Sequence, residues 1–355
     1  PLADYKGDFR GYAQKLEAKP ELLAGALPNE RPVWGTTGLM IQNLIDLNQD
    51  QALKLLSYLA FAPATGLPRE FVATYLMPQD DALDQASQAL MQASMLYRQQ
   101  DDKARIDLSI HRLTRDVARQ HFAAQEPDLV KELWLALEQA DIGLNLDPAP
   151  WDHRSWPYYS RLEPLFSQLH SGLSKAPFPD WLESRLWSHF GLVAQVQGRF
   201  NKAETWLKAA VEVSRTRKGE KSRNHATCLS NLATLYQGQN RLDEAEQLLV
   251  HVKAIQEKIL ERQDPSLAIT LNNLAVVLKD QGKLDQAEPL YRQALEISEA
   301  NLGPDHLTMA IRYNNFAGLL QTQKNFEQAS PLYKKALEID RKHYGQNHAI
   351  VALDH

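Results

Sequence analysis

The chain has 355 residues, 44% of them hydrophobic and 23% charged, with a formal net charge of −5 and a sequence pI near 6.2. That length suits two or three domains, and the mild acidity gives no global pull toward nucleic acid or an anionic membrane. A single cysteine, Cys228, excludes an internal disulfide and a zinc framework and reads as a small buried residue. The absence of a long apolar run and of a secretory leader makes a reducing, cytoplasmic setting the expectation.

In chain order, residues 1–28 read as the end of a preceding helical domain. Two amphipathic helices follow, "VWGTTGLMIQNLIDL" and "DQALKLLSYLAFAP". Gly66 marks a turn, and Pro68 suits the first turn of a short third helix, "REFVATYL". "DALDQASQALMQA" is a further helix, and the β-capable stretches "SMLYR" and "RIDLSIH" flank the polar turn "QQDDKA". Three or four helices closed by a β-hairpin describe a winged-helix domain over 29–122. The helix that would enter a major groove, 81–93, carries two Asp and no Lys or Arg, so DNA is not an expected partner. Residues 123–178 read as a helical linker.

From 179 to 355 the chain repeats itself. Ala203, Ala245, Ala287 and Ala329 are each 42 residues apart, as are Asn231, Asn273 and Asn315. Each unit holds two stretches with helical apolar spacing, joined by a polar turn ("GQNRLDEA", "DQGKLDQA", "TQKNFEQA") with Gly or Asn near the first helix's C-terminal cap. Pro289 and Pro331 are expected in the first turn of the second helices. The alanines permit close helix approach, and Tyr291 and Tyr333 are expected to fill the gap between hairpins. One hairpin cannot bury its apolar face, so the units must stack into a solenoid. The last repeat is cut short, and together with the start at Pro1 this reads as a fragment.

The recurring Asn-Leu-Ala, Gly, Ala, Tyr and Ala pattern resembles the tetratricopeptide repeat in its 42-residue form, as in kinesin light chains and many bacterial signalling proteins. The resemblance implies a mainly α fold, a right-handed α–α superhelix with the first helices on the concave side. In that family the sixth position of the first helix often holds an amide that pins an extended peptide backbone. Asn231, Asn273 and Asn315 fall there, with Thr227, Ile269 and Ile311 four residues earlier and Lys279 as a further candidate. An amide donates and accepts at once, which suits a peptide unit whatever its side chains. The other reading is that these asparagines tie adjacent helices together. Ile and Thr stand where a carboxylate clamp needs Lys and Arg. The first unit departs from the pattern with His189 in place of Asn.

"LSIHRLTRDVARQHF" resembles the end of the winged helix in signal-transducing ATPases of the NB-ARC/STAND class, and the order of "PLADYKGDFRGYAQKL", "TTGLMIQNLIDL", "LLSYLAFAP" and "WPYYSRLEPLFSQL" follows the bacterial members. The resemblance implies that His111 reaches the ADP β-phosphate, with Arg112 replacing the Asp of plant relatives. The other reading is a histidine that caps the following helix. The chain has no G-x-x-x-x-G-K-[ST] loop, G-x-S-x-G elbow or H-E-x-x-H, so it is not expected to be an enzyme by itself, and ADP or ATP with Mg would belong to a nucleotide-binding domain of the parent protein. His189, His225, His306 and His348 suit turn and capping roles. Trp151, Trp156, Trp181 and Trp187 suit packing between the linker and the first repeat.

Two functions follow as expectations. One is the sensor portion of a STAND ATPase whose repeat groove holds a protein or peptide trigger, without DNA or membrane, in a parent that oligomerises on activation. The other is a repeat adaptor with no nucleotide switch.

Overall fold

The computed structural model describes residues 31–79, 81–100, 106–144, 156–173 and 184–344, and the chain divides into two compact units, Pro1–Leu182 and Glu183–His355. The expectations for residues 1–28, Trp151, Trp181, His348 and the start of the last repeat lie outside the described residues, as does the side chain of Trp156.

In the first unit the order is α1 (Arg31–Asp46), α2 (Asp50–Phe61), β1 (Leu67–Pro68), α3 (Arg69–Phe71) running into a π-helical turn at Val72–Leu76, α4 (Ala82–Gln92), β2 (Tyr97–Gln100), β3 (Ile106–Ser109), α5 (Arg112–His121), α6 (Glu126–Leu144) and α7 (Trp156–Leu173). The two stretches pair antiparallel, with Arg98 opposite Leu108, but β2 begins at Tyr97, three residues into the stretch read as a strand, and runs into the expected turn as far as Gln100; residues 101–105 lie outside the described residues. A third strand was not expected. Leu67 and Pro68 pair antiparallel with Leu108 and Asp107, giving a sheet of order β1-β3-β2. Pro68 is therefore the last residue of an edge strand and the N-cap of α3, not part of that helix's first turn. An edge position tolerates a residue with no N–H to donate. Gly66, at φ +87°, makes the approach possible, because a Cβ there would lie 2.2 Å from the Leu108 carbonyl oxygen.

A carbonyl in the last turn of α2 and two in the segment after it meet cationic side chains, the polarity that a helix C-terminus favours. Arg119 Nε donates to the Ala60 carbonyl at 2.6 Å, and Arg115 Nη2 donates to the carbonyls of Pro63, Ala64 and Ile110 at 3.3–3.4 Å. Burial, and then the neighbouring Arg119, lower the Arg115 pKa. Between α6 and α7, Trp134 and Phe166 pack edge to face with centroids 5.7 Å apart, both fully buried.

Among the described residues the second unit is four helical hairpins: α8 (Ser184–Val196) with α9 (Phe200–Lys218), α10 (Arg223–Gly238) with α11 (Leu242–Ile259), α12 (Pro265–Asp280) with α13 (Leu284–Leu302), and α14 (Leu307–Thr322) with α15 (Phe326–Tyr344). Ala203, Ala245, Ala287 and Ala329 are all buried, as close helix approach requires. Each hairpin turns through one left-handed residue, Gly198, Asn240, Gly282 or Lys324. The next N–H then donates to a carbonyl five residues back, as from Arg241 to Tyr236 and Lys283 to Leu278, which satisfies the helix end. In the fourth turn the left-handed residue is Lys324 rather than Asn325.

Pro289 and Pro331 are not in the first turn. The second helices begin at Leu284 and Phe326, so each proline is the sixth residue, inside the helix. The missing N–H leaves the carbonyls of Asp285 and Glu327 without their helical partner, and the exposure of both prolines leaves water to serve them. Tyr291 does fill the gap between hairpins: it is 1% exposed and stacks on Phe316 of the next hairpin at 5.9 Å. Tyr333, half-buried, instead donates to Gln321 Oε1 within its own hairpin at 2.8 Å.

Consecutive hairpins are also stapled electrostatically. Glu204 on α9 meets Arg241 at 2.9 Å, and 42 residues on, Glu246 on α11 meets Lys283 at 2.7 Å. Each cation is the N-cap residue of the next hairpin's second helix. One repeat later Glu288 accepts from the neutral Gln323 at 3.1 Å. Lys208 and then Arg241 hold the Glu204 carboxyl below the usual range, and Lys283 and Gln281 do so for Glu246. A carboxylate whose folded pKa is depressed stabilises the fold above its unfolded value of about 4.3, and that contribution disappears as pH falls through the folded value. The thermal midpoint of the repeat unit is therefore expected to fall steeply below about pH 4.3, and a Glu204→Gln, Glu246→Gln double variant to fall less steeply over the same interval. Circular-dichroism melts across that range check this; identical slopes would remove the staples from the account.

Candidate functional site

On the first helix of each hairpin one face is left uncovered by the second helices. Thr227, Ile269 and Ile311 are exposed on α10, α12 and α14, the two isoleucines at 52% and 59%. Asn231, Asn273 and Asn315 follow one helical turn later on the same face and are half-buried. Thr234, Val276 and Gly318 complete it. Three successive columns thus contain hydroxyl, aliphatic, amide and glycine groups and no charge. On these three helices charges stand toward the ends: Arg223, paired with Asp264 at 2.7 Å, and Asp280, which accepts from Gln237 at 3.3 Å; on α8 the matching register positions hold Arg185 and His189. The Thr227 hydroxyl is turned back onto the Arg223 carbonyl at 3.1 Å, so this side chain offers its methyl group outward.

The asparagines are partly engaged with one another. Asn315 Nδ2 donates to Asn272 Oδ1 at 3.2 Å, and Asn272 Nδ2 donates to Asn273 Oδ1 at 3.4 Å. This relay ties α14 to α12, and it also orients what remains: Asn273 presents its amide N–H groups and Asn315 its carbonyl oxygen. A peptide unit needs one donor and one acceptor in return. Tying helices and holding a peptide are therefore compatible roles. One repeat earlier Ser230 replaces the anchoring amide. Asn272 escaped the sequence reading because its position is a core position; the signal was the Asn-Asn doublet at 272–273 and again at 314–315.

Lys279 does not join this face. Six residues beyond Asn273, it lies about 240° around the helix, half-buried, with Asp280 of its own helix 3.8 Å away.

His111 sits between β3 and α5 as the N-cap of that helix, exposed, with Nδ1 accepting from the Leu113 N–H at 3.3 Å. That bond places the neutral ring's proton on Nε2. Of the other histidines, His306 caps α14 through Nδ1 and the Thr308 N–H at 3.2 Å, whereas His225 is buried, with Nδ1 3.0 Å from Ser214 Oγ. The cap of α10 is Ser222. Burial, helped by His251, lowers the His225 pKa. His189 is half-buried on α8, Trp187 is fully buried, and Cys228 is buried 3.7 Å from Ser188 Oγ. Arg312, which the sequence reading did not single out, is 5% exposed and donates to the Ala268 carbonyl at 2.9 Å, with Nε unpartnered and its pKa lowered by burial.

No group of His, Cys, Asp and Glu among the described residues has metal-binding geometry, and no described helix is long and apolar enough to cross a membrane.

Residues 182–258 and 266–342 match the family model of the tetratricopeptide repeat. This part of the chain is a tetratricopeptide-repeat array. No curated protein matches the sequence. Among solved structures, BtubC (BKLC) from P. vanneervenii is 18% identical over 64% of this chain and 87% of that one, with a TM-score of 0.46. A putative kinesin light chain with nearly identical TPR-like repeats from Podosopora anserina is 21% identical over 55% of this chain and 98% of that one, with a TM-score of 0.44. MamA is 17% identical over 53% of this chain and 93% of that one, with a TM-score of 0.38. In the tetratricopeptide array described here, the first helices carry the uncovered face and the second helices the charged staples. The array is a scaffold suited to protein–protein interaction.

Proposed function

We propose that the tetratricopeptide array holds a protein or peptide on the uncovered face of its first helices, and that the chain is the regulatory part of a STAND-type ATPase. The observation that carries the first statement is the oriented amide pair, Asn273 as donor and Asn315 as acceptor, set beside Ile269 and Ile311 in one 42-residue register.

The second statement rests on the N-terminal unit. Helices closed by an antiparallel sheet of order β1-β3-β2 are compatible with a winged helix, and His111 lies where its strand hands over to α5. With Nδ1 engaged by the Leu113 N–H, Nε2 carries the proton that a β-phosphate of ADP would accept. The cap orients the ring for that role. The P-loop and Mg-binding acidic strand would belong to a nucleotide-binding domain of the parent protein. A trigger docked on the repeats would favour the open arrangement, which exchanges ADP for ATP and permits oligomers, only by binding it better than the closed one. The competing reading, an adaptor without a nucleotide switch, keeps the first statement and drops the second.

The test uses the parent protein purified with whatever precedes Pro1. ADP is expected to co-purify, and His111→Ala to lose it about tenfold faster in a filter-retention assay, the equivalent of about 1.4 kcal/mol. A parent that carries no nucleotide, or retains it equally with the substitution, selects the adaptor.

A further inference from the structure

We propose that the occupant of the repeat face is an uncharged segment in the polyproline II conformation, with an aliphatic side chain at every third residue. This deepens the reading of that face as a peptide groove and rests on it. Three observations converge.

The first is charge. From α10 to α14 the row of Thr227, Ile269 and Ile311 and the row of asparagines bear no ionisable side chain, Arg185 and His189 holding the matching positions only on α8, so an acidic or basic ligand residue over those three helices would lose its hydration and gain no partner in either row. The second is spacing. Ile269 and Ile311 occupy the same position on consecutive first helices and are about half exposed. Packed helices lie about 8–10 Å apart. A polyproline II segment returns a side chain to one side every three residues, after about 9 Å. A β-strand returns one every two residues, after about 7 Å, and slips out of step with the helices.

The third is hydrogen bonding. A polyproline II backbone makes no internal hydrogen bonds, so its N–H and C=O groups are free to be taken up. Asn273 has free amide N–H groups and Asn315 a free carbonyl, fixed in those senses by the relay through Asn272. Proline suits such a segment twice over: it sets the backbone angle beforehand, and it leaves fewer donors to satisfy on a face with few acceptors.

The experiment is fluorescence anisotropy with the full 355-residue chain and labelled synthetic peptides of about nine residues, long enough to cover three columns at about 3.1 Å per residue. One peptide repeats Leu-Pro-Ser; the others repeat Glu-Pro-Ser, repeat Lys-Pro-Ser, or alternate Leu and Ser. The first is expected to bind at least about tenfold more tightly than each of the rest, a margin of about 1.4 kcal/mol. Ile269→Asp with Ile311→Asp should abolish the preference, while Phe326→Asp, a change on a second helix at an equally exposed site, should leave it intact. The substituted side chains are exposed, so unchanged melting is expected to accompany the loss. If a charged or alternating peptide binds as well and still depends on Ile269 and Ile311, the stated chemistry is overturned and the groove stands. If no peptide's binding depends on either residue, or none binds, both are overturned.

Discussion

Replacing Gly66 with alanine is expected to unfold the N-terminal unit's sheet, at a cost of more than about 3 kcal/mol. Two separate penalties meet at this position. The backbone lies at φ +87°, where a Cβ is strained whatever surrounds it, and the new methyl would sit 2.2 Å from the Leu108 carbonyl oxygen and 2.8 Å from its carbon. Both atoms belong to β3, the central strand, so relief means breaking the β1 pairing or displacing a strand held on both sides. Gly282→Ala separates the penalties. Its φ is +78°, but nothing lies within 4 Å of the added Cβ, so it should cost only about 1 kcal/mol. Urea unfolding followed by circular dichroism gives both values. Equal costs would mean that the close approach to Leu108 is not what demands glycine.

Tyr291→Ala should cost about 3–5 kcal/mol, the range for truncating a fully buried aromatic side chain. The ring is the packing between two hairpins, against Phe316, so the loss falls on the interface and not on one helix. Its hydroxyl has no hydrogen-bond partner in the buried site, and burial pushes its pKa up. Tyr291→Phe should therefore be neutral or stabilising by about 1 kcal/mol, since an unsatisfied buried hydroxyl costs about that much or more. Hydrogen exchange over α13 and α14 reads both variants. A Phe variant as damaged as the Ala variant would show that the hydroxyl has a partner after all.

The repeat half was legible in the sequence because periodicity is a global signal: the 42-residue register located the alanines, the aromatic filler and the exposed isoleucines at once. Local features without a period were harder to see. The strand at Leu67–Pro68 has only two residues and contains a proline, and what makes it a strand is a partner about 40 residues away. The second helices began before Pro289 and Pro331 could open them, because apolar Leu284 and Phe326 at the first helical position read as turn residues. Arg312 stands in a column otherwise occupied by Leu186, Cys228 and Thr270, and a charge in that setting is visible only once its burial is known. His111 showed the reverse: capping and phosphate contact read as rivals in sequence, but the cap engages only Nδ1 and so does not by itself exclude the proposed contact through Nε2.

The acidic-to-cationic staples bear on how such a chain can lengthen. Each reaches from one unit to the next with the same offset in sequence, from Glu204 to Arg241 and from Glu246 to Lys283. A duplicated block of 42 residues inserted between them would arrive with both ends of its connector already complementary to its neighbours. At Glu288, where the matching position is Asn325 and the contact passes to Gln323, that interchangeability stops. Tandem duplication is therefore easiest among the earlier units, and the later end of the array is where copies would have to diverge before they fit.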